Sequence, residues 1–214
     1  RCAARYFYEN LNAKTPEAAM ARRYWKEKRG LSDAAIRRFG LGYAPEDFGG
    51  LLHYLKRRGF SEEELETSGL VKRSAKGNLY DIFRHRVMVP IIDVRGAIIA
   101  FGGRVLDDSK PKYINSPETM VYKKSRTLFA LNVAKKSPNK RYILCEGYMD
   151  VISMHEAGFD TAVCACGTAL TPEQVKLLTE YADEVVLSYD SDEAGQKATA
   201  RSLAMFNDAD IDVR

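Results

Sequence analysis

The stretch "SYDSDEAGQKA", Ser188–Ala198, sets two carboxylates at the end of an apolar run and follows them at once with Ala-Gly. The run itself, "EVVLSY" (184–189), has the length and composition of a strand, and "EAGQKATARSLAMF" (193–206) has those of a helix. Like charges a few ångströms apart raise each other's pKa or require a cation between them. Asp190 and Asp192 therefore indicate a cation site at a strand end. A single Asp-x-Asp sequence is, however, also typical of a turn that caps a helix.

The same strand-then-helix pattern occurs twice upstream of this stretch. "RYILCE" (141–146) precedes "YMDVISMHEAG" (148–158), and "TAVCACG" (161–167) precedes "TPEQVKLLTEYA" (171–182). Three such units in a row predict a parallel sheet with crossover helices, which are right-handed as a general rule. Ligands of such sheets bind at the carboxyl ends of the strands.

Polar residues follow each of the three predicted strands. Glu146 follows the first, Gly167-Thr168 the second, and Asp190 with Asp192 the third. If the strands are neighbours, the three carboxylates lie at one edge of the sheet, and carboxylate oxygens suit Mg²⁺ or Mn²⁺. Gly195 lets the backbone turn closely at the start of the next helix, whose N-terminus favours an anion such as phosphate.

The first seventy residues and the last third carry clear helix signals. Caps or capping boxes are expected at Thr15-Pro16, Ser32, Ser61–Glu64 and Thr171-Pro172. Glycines that end the helices are expected at Gly30, Gly40 and Gly69. The N-terminal part is therefore predicted to be mainly helical.

The middle of the chain changes to a strand pattern. Residues 79–106 are rich in Val and Ile, and Arg95-Gly96 separates two apolar runs, which predicts an antiparallel hairpin. Pro90 is expected at a sheet edge or a bulge, because proline cannot donate to a ladder. "KKSPNK" (135–140) is the best candidate for a linker.

Charge is distributed unevenly along the chain. The net charge is +3 over residues 1–70, +11 over 71–141 and −10 over 142–214. A basic middle beside an acidic end indicates one surface that meets phosphates and another that holds cations.

No apolar run approaches the roughly 20 residues of a membrane-spanning helix, and the N-terminus "RCAARYFYENL" lacks the pattern of a secretory signal. We therefore expect an intracellular protein that does not contact a membrane. Three of the cysteines (Cys145, Cys164 and Cys166) lie in strand-like stretches, and Cys2 is remote, which favours reduced, buried thiols. The Cys164-x-Cys166 pair lacks a second pair at zinc-binding spacing, so zinc is not expected.

Glu146-Gly147 at one strand end and Asp190-Ser191-Asp192-Glu193-Ala194-Gly195 at another resemble the Toprim fold of primases, type IA and II topoisomerases and related nucleases. Segments in other parts of the chain narrow this likeness. "FRHRVMVPI" (83–91), "AFGGRVL" (100–106), "KYINSPET" (112–119), "EGYMDVI" (146–152) and "GTALT" (167–171) resemble, in order, the motifs of the bacterial DnaG-type primases.

This resemblance implies an α/β protein: an α+β N-terminal subdomain over 1–140, with helices and antiparallel strands, and a parallel Toprim sheet with crossover helices over 141–214. It implies a DNA-directed RNA polymerase that makes RNA primers on single-stranded DNA for replication. Primases normally carry a zinc ribbon, a later D-P-D motif and a helicase-binding domain, and none of these features is found in this sequence. We therefore expect a C-terminally truncated piece of a cytoplasmic bacterial enzyme, with weak activity or none.

The resemblance also implies roles for particular residues. Glu146, Asp190 and Asp192 are the expected catalytic residues and ligands of Mg²⁺ or Mn²⁺, with Glu146 either a ligand or the base that accepts a proton. Asp150, Gly147 and Gly195 are expected to support these three carboxylates from neighbouring positions. The positions that match the family's template and nucleotide contacts are Arg84, Arg86, Arg104, Lys112, Asn115 and Lys124. Nearby aromatic residues that either stack on bases or, as strand aromatics more often do, join the core are Tyr80, Phe83, Phe101, Tyr113 and Tyr122.

The expected partners are single-stranded DNA, ribonucleoside triphosphates and the RNA primer. Replicative helicase and single-strand binding protein would bind through domains absent from this chain. The sequence is also compatible with two alternatives: a Toprim nuclease or topoisomerase-like enzyme, and an inactive single-stranded DNA-binding fragment. A topoisomerase needs a catalytic tyrosine in a separate DNA-gate domain, and no tyrosine of this chain is expected to lie in one. The first alternative also leaves the motifs in the middle of the chain unexplained.

Overall fold

The computed structural model describes residues 1–167, 169–207 and 209–214. The chain forms two units, each with its own internal packing. The first comprises Arg1–Ile91 and Ile98–Val121, and the second comprises Ile92–Ala97 and Tyr122–Arg214. No helix among the described residues has both the length and the apolar character needed to cross a membrane.

The helices of the first unit include three that begin at the caps predicted from the sequence, at Thr15, Ser32 and Ser61. The helices are α1 (Cys2–Leu11), α2 (Pro16–Arg23), α3 (Asp33–Arg38), α4 (Gly50–Lys56) and α5 (Glu62–Thr67), and a π-helical turn (Tyr24–Lys28) continues α2. The side chains of Thr15 and Ser32 accept the expected capping bonds, and Ser61 with Glu64 forms a capping box. Gly69 follows α5 with φ +68°, and a Cβ there would lie 2.8 Å from Pro117 Cγ. These predictions are confirmed.

A four-stranded sheet with the order β1-β4-β5-β6 and a separate two-stranded hairpin complete the first unit. The strands are β1 (Gly42–Ala44), β2 (Val71–Arg73), β3 (Leu79–Asp81), β4 (Arg86–Ile92), β5 (Ile98–Val105) and β6 (Tyr113–Asn115). β4 and β5 form the predicted hairpin around Arg95-Gly96. Pro90 lies in an interior strand, but β1 pairs only with Arg86–Met88, so Pro90 lies beyond the end of that neighbour.

The core of the first unit joins α1 and α4 to this sheet. Phe7 of α1 contacts Phe83 and Phe101 edge-on, with ring centroids 6.4 and 5.2 Å away. The three rings are almost completely buried. The expectation that Phe83 and Phe101 belong to the core is therefore confirmed.

Asp81 is a carboxylate buried in this unit, at 2% exposure. Its two oxygens accept hydrogen bonds from the backbone N–H groups of Leu51 and Leu52 in the first turn of α4, at 2.8 and 2.9 Å. Burial raises the pKa of Asp81 to about 6, although these two bonds act to lower it. The folded protein therefore retains a proton on Asp81 at pH values at which the unfolded chain has lost it.

The pH dependence of stability tests this assignment. Because the folded-state pKa lies above the unfolded one, the contribution of Asp81 to the free energy of unfolding falls as pH rises from about 4 to 6, by about 3 kcal/mol. Asp81→Asn removes the titration but keeps an acceptor oxygen. Urea unfolding of both proteins at several pH values should show the difference between them changing across this window; parallel profiles would contradict the assignment.

The second unit contains the predicted parallel sheet. Its strand order is β11-β10-β8-β9-β7, with β8, β9, β10 and β11 parallel and β7 antiparallel to β9. The strands are β7 (Leu128–Phe129), β8 (Arg141–Cys145), β9 (Ala162–Ala165), β10 (Glu184–Ser188) and β11 (Asp212–Val213). The helices are α6 (Leu131–Ala134), α7 (Tyr148–Glu156), α8 (Pro172–Thr179) and α9 (Glu193–Phe206).

Residues 122–140 belong to the second unit, whereas the boundary expected from the sequence, at residue 140, assigned them to the N-terminal subdomain. The buried Gln174 of α8 donates hydrogen bonds to the carbonyl oxygens of Lys124 and Thr127, both at 2.8 Å. Thr171 donates to the carbonyl oxygen of Ser125 at 2.6 Å. Residues 135–140 are not a linker between the units, because they lie inside the second unit, where Ser137 Oγ bonds Asp160 Oδ1 at 3.0 Å.

Candidate active site

The ends of β8 and β10 bring Glu146 and Asp190 together. The two strands are paired with Cys145 opposite Ser188, so the residues that follow them leave the same edge of the sheet. Glu146 is exposed, and its Oε2 accepts a hydrogen bond from the backbone N–H of Asp190 at 3.4 Å. A carboxylate from one strand thus lies at the start of the acidic loop that follows the other.

Asp192 caps helix α9. Its Oδ1 accepts a hydrogen bond from the backbone N–H of Gly195 at 2.8 Å, as expected of an N-cap aspartate. The residue is exposed at the same end of β10 as Asp190. The capping role that the sequence left open is therefore real, and it engages one of the two carboxylate oxygens.

Gly195 makes the acidic loop possible. A Cβ at this position would lie 2.0 Å from the carbonyl oxygen of Asp190 and 2.7 Å from its carbonyl carbon. Real Cβ atoms do not approach backbone atoms this closely, so only glycine fits. The start of α9 and the backbone of Asp190 are therefore packed directly against each other.

Asp150 and Gly147 support the turn after β8. Asp150 Oδ2 accepts a hydrogen bond from the backbone N–H of Gly147 at 3.1 Å and so caps the start of α7. Gly147 has φ −139°, which any residue can adopt, and a Cβ there would meet Asp150 Oδ2 at 3.4 Å, an ordinary contact. These two residues fix the backbone directly after Glu146.

The donor chemistry at this edge fits a hard divalent cation, because Glu146, Asp190 and Asp192 offer exposed carboxylate oxygens. Within the described part of the chain, however, no group of three Asp, Glu, His or Cys side chains is arranged to hold a metal ion. Thr168, which the sequence analysis placed beside these carboxylates, lies outside the described residues.

A cavity of about 420 Å³ adjoins Glu146 in the second unit. Among the residues that line it are Tyr189, Arg201 and Ser202, and the hydroxyl oxygens of Tyr189 and Ser202 lie 3.0 Å apart. Burial raises the pKa of Tyr189. The sequence analysis did not identify this cavity. The available signal was the helical spacing of the α9 residues that line it, which places them on one face of the helix: Ala198, Arg201, Ser202 and Met205.

The basic positions differ in exposure. Arg86 and Arg104 are buried, at 7% and 8% exposure, whereas Lys112 is exposed. Arg84 is half-buried; its guanidinium donates to the carbonyl oxygen of Asp81 and lies over the Phe48 ring, 4.5 Å from the centroid. The motif arginines therefore differ in how far their side chains are accessible to a ligand.

The remaining polar positions fall in different units. Asn115 follows Tyr113 on β6, and its Oδ1 is buried without a hydrogen-bond partner among the described residues. Lys124 lies in the second unit, at the start of a 3₁₀ turn that spans Lys124–Arg126. Among the aromatic candidates, Tyr122 is buried and Tyr113 is 40% exposed.

The cysteines agree with the expectation of reduced, buried thiols. All four are free, and Cys145, Cys164 and Cys166 are buried while Cys2 is half-buried. Burial raises the pKa of Cys145 and of Cys166 to about 12. These thiols are protonated core groups near neutral pH.

Two family models match the chain. Residues 6–135 match the N-terminal domain of the DNA primase catalytic core, and residues 143–214 match a Toprim-like family. DNA primase from Clostridium acetobutylicum is 47% identical over 213 residues, which cover 99% of this chain and 35% of that protein. The Deinococcus radiodurans DNA primase is 48% identical over 190 residues, covering 87% and 33%. The chain thus spans about a third of the length of these relatives.

Solved structures show the same architecture. A DNA primase domain from Pseudomonas aeruginosa has a TM-score of 0.89 and 39% identity, with 99% of this chain and 67% of that chain covered. A DnaG primase catalytic domain bound to single-stranded DNA has a TM-score of 0.87 and 37% identity, covering 99% and 69%. With its family-model matches, its sequence relatives and its fold in agreement, the chain belongs to the DnaG-type family of bacterial primase catalytic cores.

Proposed function

We propose that this chain is the catalytic part of a primase that makes short RNA primers on single-stranded DNA. The observation that carries the proposal is the 3.4 Å approach of Glu146 Oε2 to the backbone N–H of Asp190, because it joins two acidic strand ends at one sheet edge. Family membership supplies the reaction class, and a solved relative bound to single-stranded DNA supports the template class.

The proposed reaction is attack of a ribonucleotide 3′-oxygen on the α-phosphorus of a ribonucleoside triphosphate. A new P–O bond forms, the bond to pyrophosphate breaks, and the attacking hydroxyl loses its proton. Glu146, Asp190 and Asp192 would hold Mg²⁺ or Mn²⁺. The positive charge of the cation would offset the negative charge that develops on the attacking and leaving oxygens. Glu146 serves either as a ligand or as the acceptor of the hydroxyl proton.

The residues around these carboxylates have positioning roles in this proposal. Gly195 sets the backbone of Asp190 against the start of α9, and Asp150 holds the turn after Glu146 through its bond to Gly147 N–H. Template and triphosphates are polyanions, so we assign their binding, by direct contact or through positioning, to the motif residues. These are the basic residues Arg84, Arg86, Arg104, Lys112 and Lys124, with Asn115 as a polar partner. These positions differ in exposure: Arg86 and Arg104 are buried, whereas Lys112 is exposed.

A product assay tests the proposal and separates its rivals. The chain is incubated with single-stranded DNA, four ribonucleotides and Mg²⁺ or Mn²⁺. The same assay is run with a chimera, the exchanged protein, in which this chain replaces the matching segment of the Clostridium acetobutylicum primase. The rest of that primase then supplies the parts of a longer enzyme. We expect metal-dependent RNA oligomers, strongest in the exchanged protein. Cut DNA without RNA would instead support a Toprim nuclease, and metal-independent DNA binding alone would support a binding module.

The cellular setting follows from the same proposal. We place the protein in the bacterial cytoplasm, at sites of DNA replication, since the relatives described above are bacterial DNA primases. The replicative helicase and the single-strand binding protein are proposed partners of the longer enzyme.

A further inference from the structure

Arg86 holds a loop of its own unit. Its Nη2 donates a hydrogen bond to the carbonyl oxygen of Pro111 at 2.9 Å, and its Nη1 donates to that of Lys112 at 3.2 Å. Both carbonyls belong to residues 106–112, the loop that connects β5 to β6. The side chain is buried, so two of its five N–H donors are directed at loop backbone in a site with little access to solvent.

The neighbouring residue contacts the other end of the same loop. His85 Nε2 lies 3.8 Å from Asp107 Oδ2, and the Tyr43 hydroxyl lies 3.3 Å from His85 Nδ1. Asp107 Oδ1 in turn accepts hydrogen bonds from the backbone N–H and the hydroxyl of Ser109, at 3.0 and 2.6 Å. His85 has φ +48°, an unfavourable backbone conformation for a residue with a Cβ, and such strain is retained where neighbouring contacts fix it.

The loop ends at Lys112, whose backbone is fixed twice and whose side chain is exposed. Its carbonyl oxygen accepts from Arg86 and also from the backbone N–H of Val105 at 3.1 Å. Its Nζ lies 6.0 Å from the centroid of the Tyr113 ring, on the edge strand β6. The loop therefore presents an ammonium group beside a partly exposed ring.

Arg104 acts on the same edge from inside. It pairs with Tyr113 across β5 and β6, and its guanidinium carbon lies 4.9 and 5.8 Å from the ring centroids of Tyr24 and Tyr113. Its Nη1 donates to the carbonyl oxygen of Val105 at 2.7 Å. A second buried arginine thus packs against Tyr113, the first residue of β6, which directly follows the exposed Lys112.

We infer that Arg86 is a positioning residue for nucleic-acid binding: it acts through the 106–112 loop, which it fixes so that Lys112 meets phosphate, and does not itself contact phosphate. The inference rests on the proposed function, since Lys112 needs an anionic ligand. Lysine at position 86 keeps the charge but cannot reproduce the planar fork that reaches two carbonyls.

The test measures the affinity of the whole chain for a single-stranded DNA oligonucleotide over a range of salt concentrations. Lys112→Gln removes one phosphate contact, so the salt slope should fall by about 0.7 and binding at 0.1 M salt by about fivefold. Arg86→Lys leaves the net charge unchanged, yet it should show the same loss. The double variant should bind no more weakly than Lys112→Gln alone. Arg73→Lys, at an exposed ion pair with Glu66 in the same unit, is the matched control and should bind like wild type.

Direct phosphate contact by Arg86 gives different results. Arg86→Lys would then keep the wild-type slope, or its effect would add to that of Lys112→Gln, and either outcome overturns the inference. Hydrogen exchange gives a second test: the Val105 amide and the 106–112 loop should exchange faster in Arg86→Lys, with the rest of the first unit unchanged. Faster exchange throughout that unit would show a general folding role and also overturn it.

The two proposals can fail separately. If the wild-type chain does not bind single-stranded DNA, DNA binding by this chain under the proposed function is wrong, and with it the nucleic-acid role of Arg86. The exchange experiment still decides whether Arg86 holds the loop. If wild type binds but Arg86→Lys is indistinguishable from it, the proposed function stands and the positioning role is wrong.

Discussion

Glu146→Gln and Asp190→Asn are expected to lower primer synthesis by at least about 100-fold and to weaken Mn²⁺ binding by at least about tenfold. Each change removes one negative charge from the sheet edge but keeps the size of the side chain and an acceptor oxygen. Glutamine at 146 can still accept from the Asp190 N–H. The measurements are primer synthesis with Mg²⁺ and with Mn²⁺, in the exchanged protein, and Mn²⁺ titration of the chain by calorimetry.

Asp183→Asn is the matched control for these variants. Asp183 is an exposed carboxylate that precedes β10, at the opposite end of the strand from Asp190. Its amide variant should keep wild-type synthesis and Mn²⁺ binding. Near-wild-type activity of Glu146→Gln or Asp190→Asn would remove that residue from the site, and equal losses in all three variants would contradict a localised metal site.

Two variants of Asp192 distinguish its proposed metal-binding role from its role as a helix cap. Asparagine caps helices as well as aspartate does, so Asp192→Asn should keep the free energy of unfolding while losing Mn²⁺ affinity. Asp192→Ala should lose the affinity and also about 1 kcal/mol of stability. Equal Mn²⁺ binding by wild type and Asp192→Asn would leave Asp192 with the cap alone.

Gly195→Ala is expected to lower primer synthesis by about 100-fold, because misplacing a catalytic group by 1 Å can cost that much. The new Cβ would lie 2.0 Å from the carbonyl oxygen of Asp190, so the loop that carries Asp190 and Asp192 has to move. The far-ultraviolet circular dichroism should stay close to that of wild type, because the expected change is local to the start of α9.

Gly147→Ala is the paired variant. It is the same chemical change at the other acidic strand end, where the added Cβ meets Asp150 Oδ2 at an ordinary 3.4 Å and φ is −139°. Its activity should remain within a few-fold of wild type. Equal activity of Gly195→Ala and Gly147→Ala would show that the close packing at Asp190 does not control the site.

Local signals in the sequence predicted much of the fold. The caps at Thr15, Ser32, Ser61 and Thr171 each depend on hydrogen bonds within three residues, so the sequence contains both partners. The strand-then-helix units after Arg141 also carry their signal locally, in the change from apolar runs to helical spacing. Because strand pairing then follows general rules, the meeting of Glu146 with the Asp190 loop was also predictable.

Long-range hydrogen bonds set what the sequence did not predict. The grouping of residues 122–140 with the second unit depends on Gln174, which bonds carbonyls 47 and 50 residues away along the chain. The two-residue strand β7 is too short to give a pattern. Sequence reasoning grouped Arg86 and Arg104 with exposed lysines, since charge usually marks exposure. The groups that surround them are distant in sequence: the carbonyl oxygen of Pro111 for Arg86 and the ring of Tyr24, in the π-helical turn, for Arg104.

A crystal of this chain, soaked in Mn²⁺ and measured at a wavelength where manganese scatters anomalously, tests whether the acidic strand ends form a metal site. We expect an anomalous peak bounded by the carboxylates of Glu146, Asp190 and Asp192 at the ends of β8 and β10. Strong manganese peaks elsewhere with none at this edge, or these three carboxylates directed to separate surfaces, would contradict this expectation.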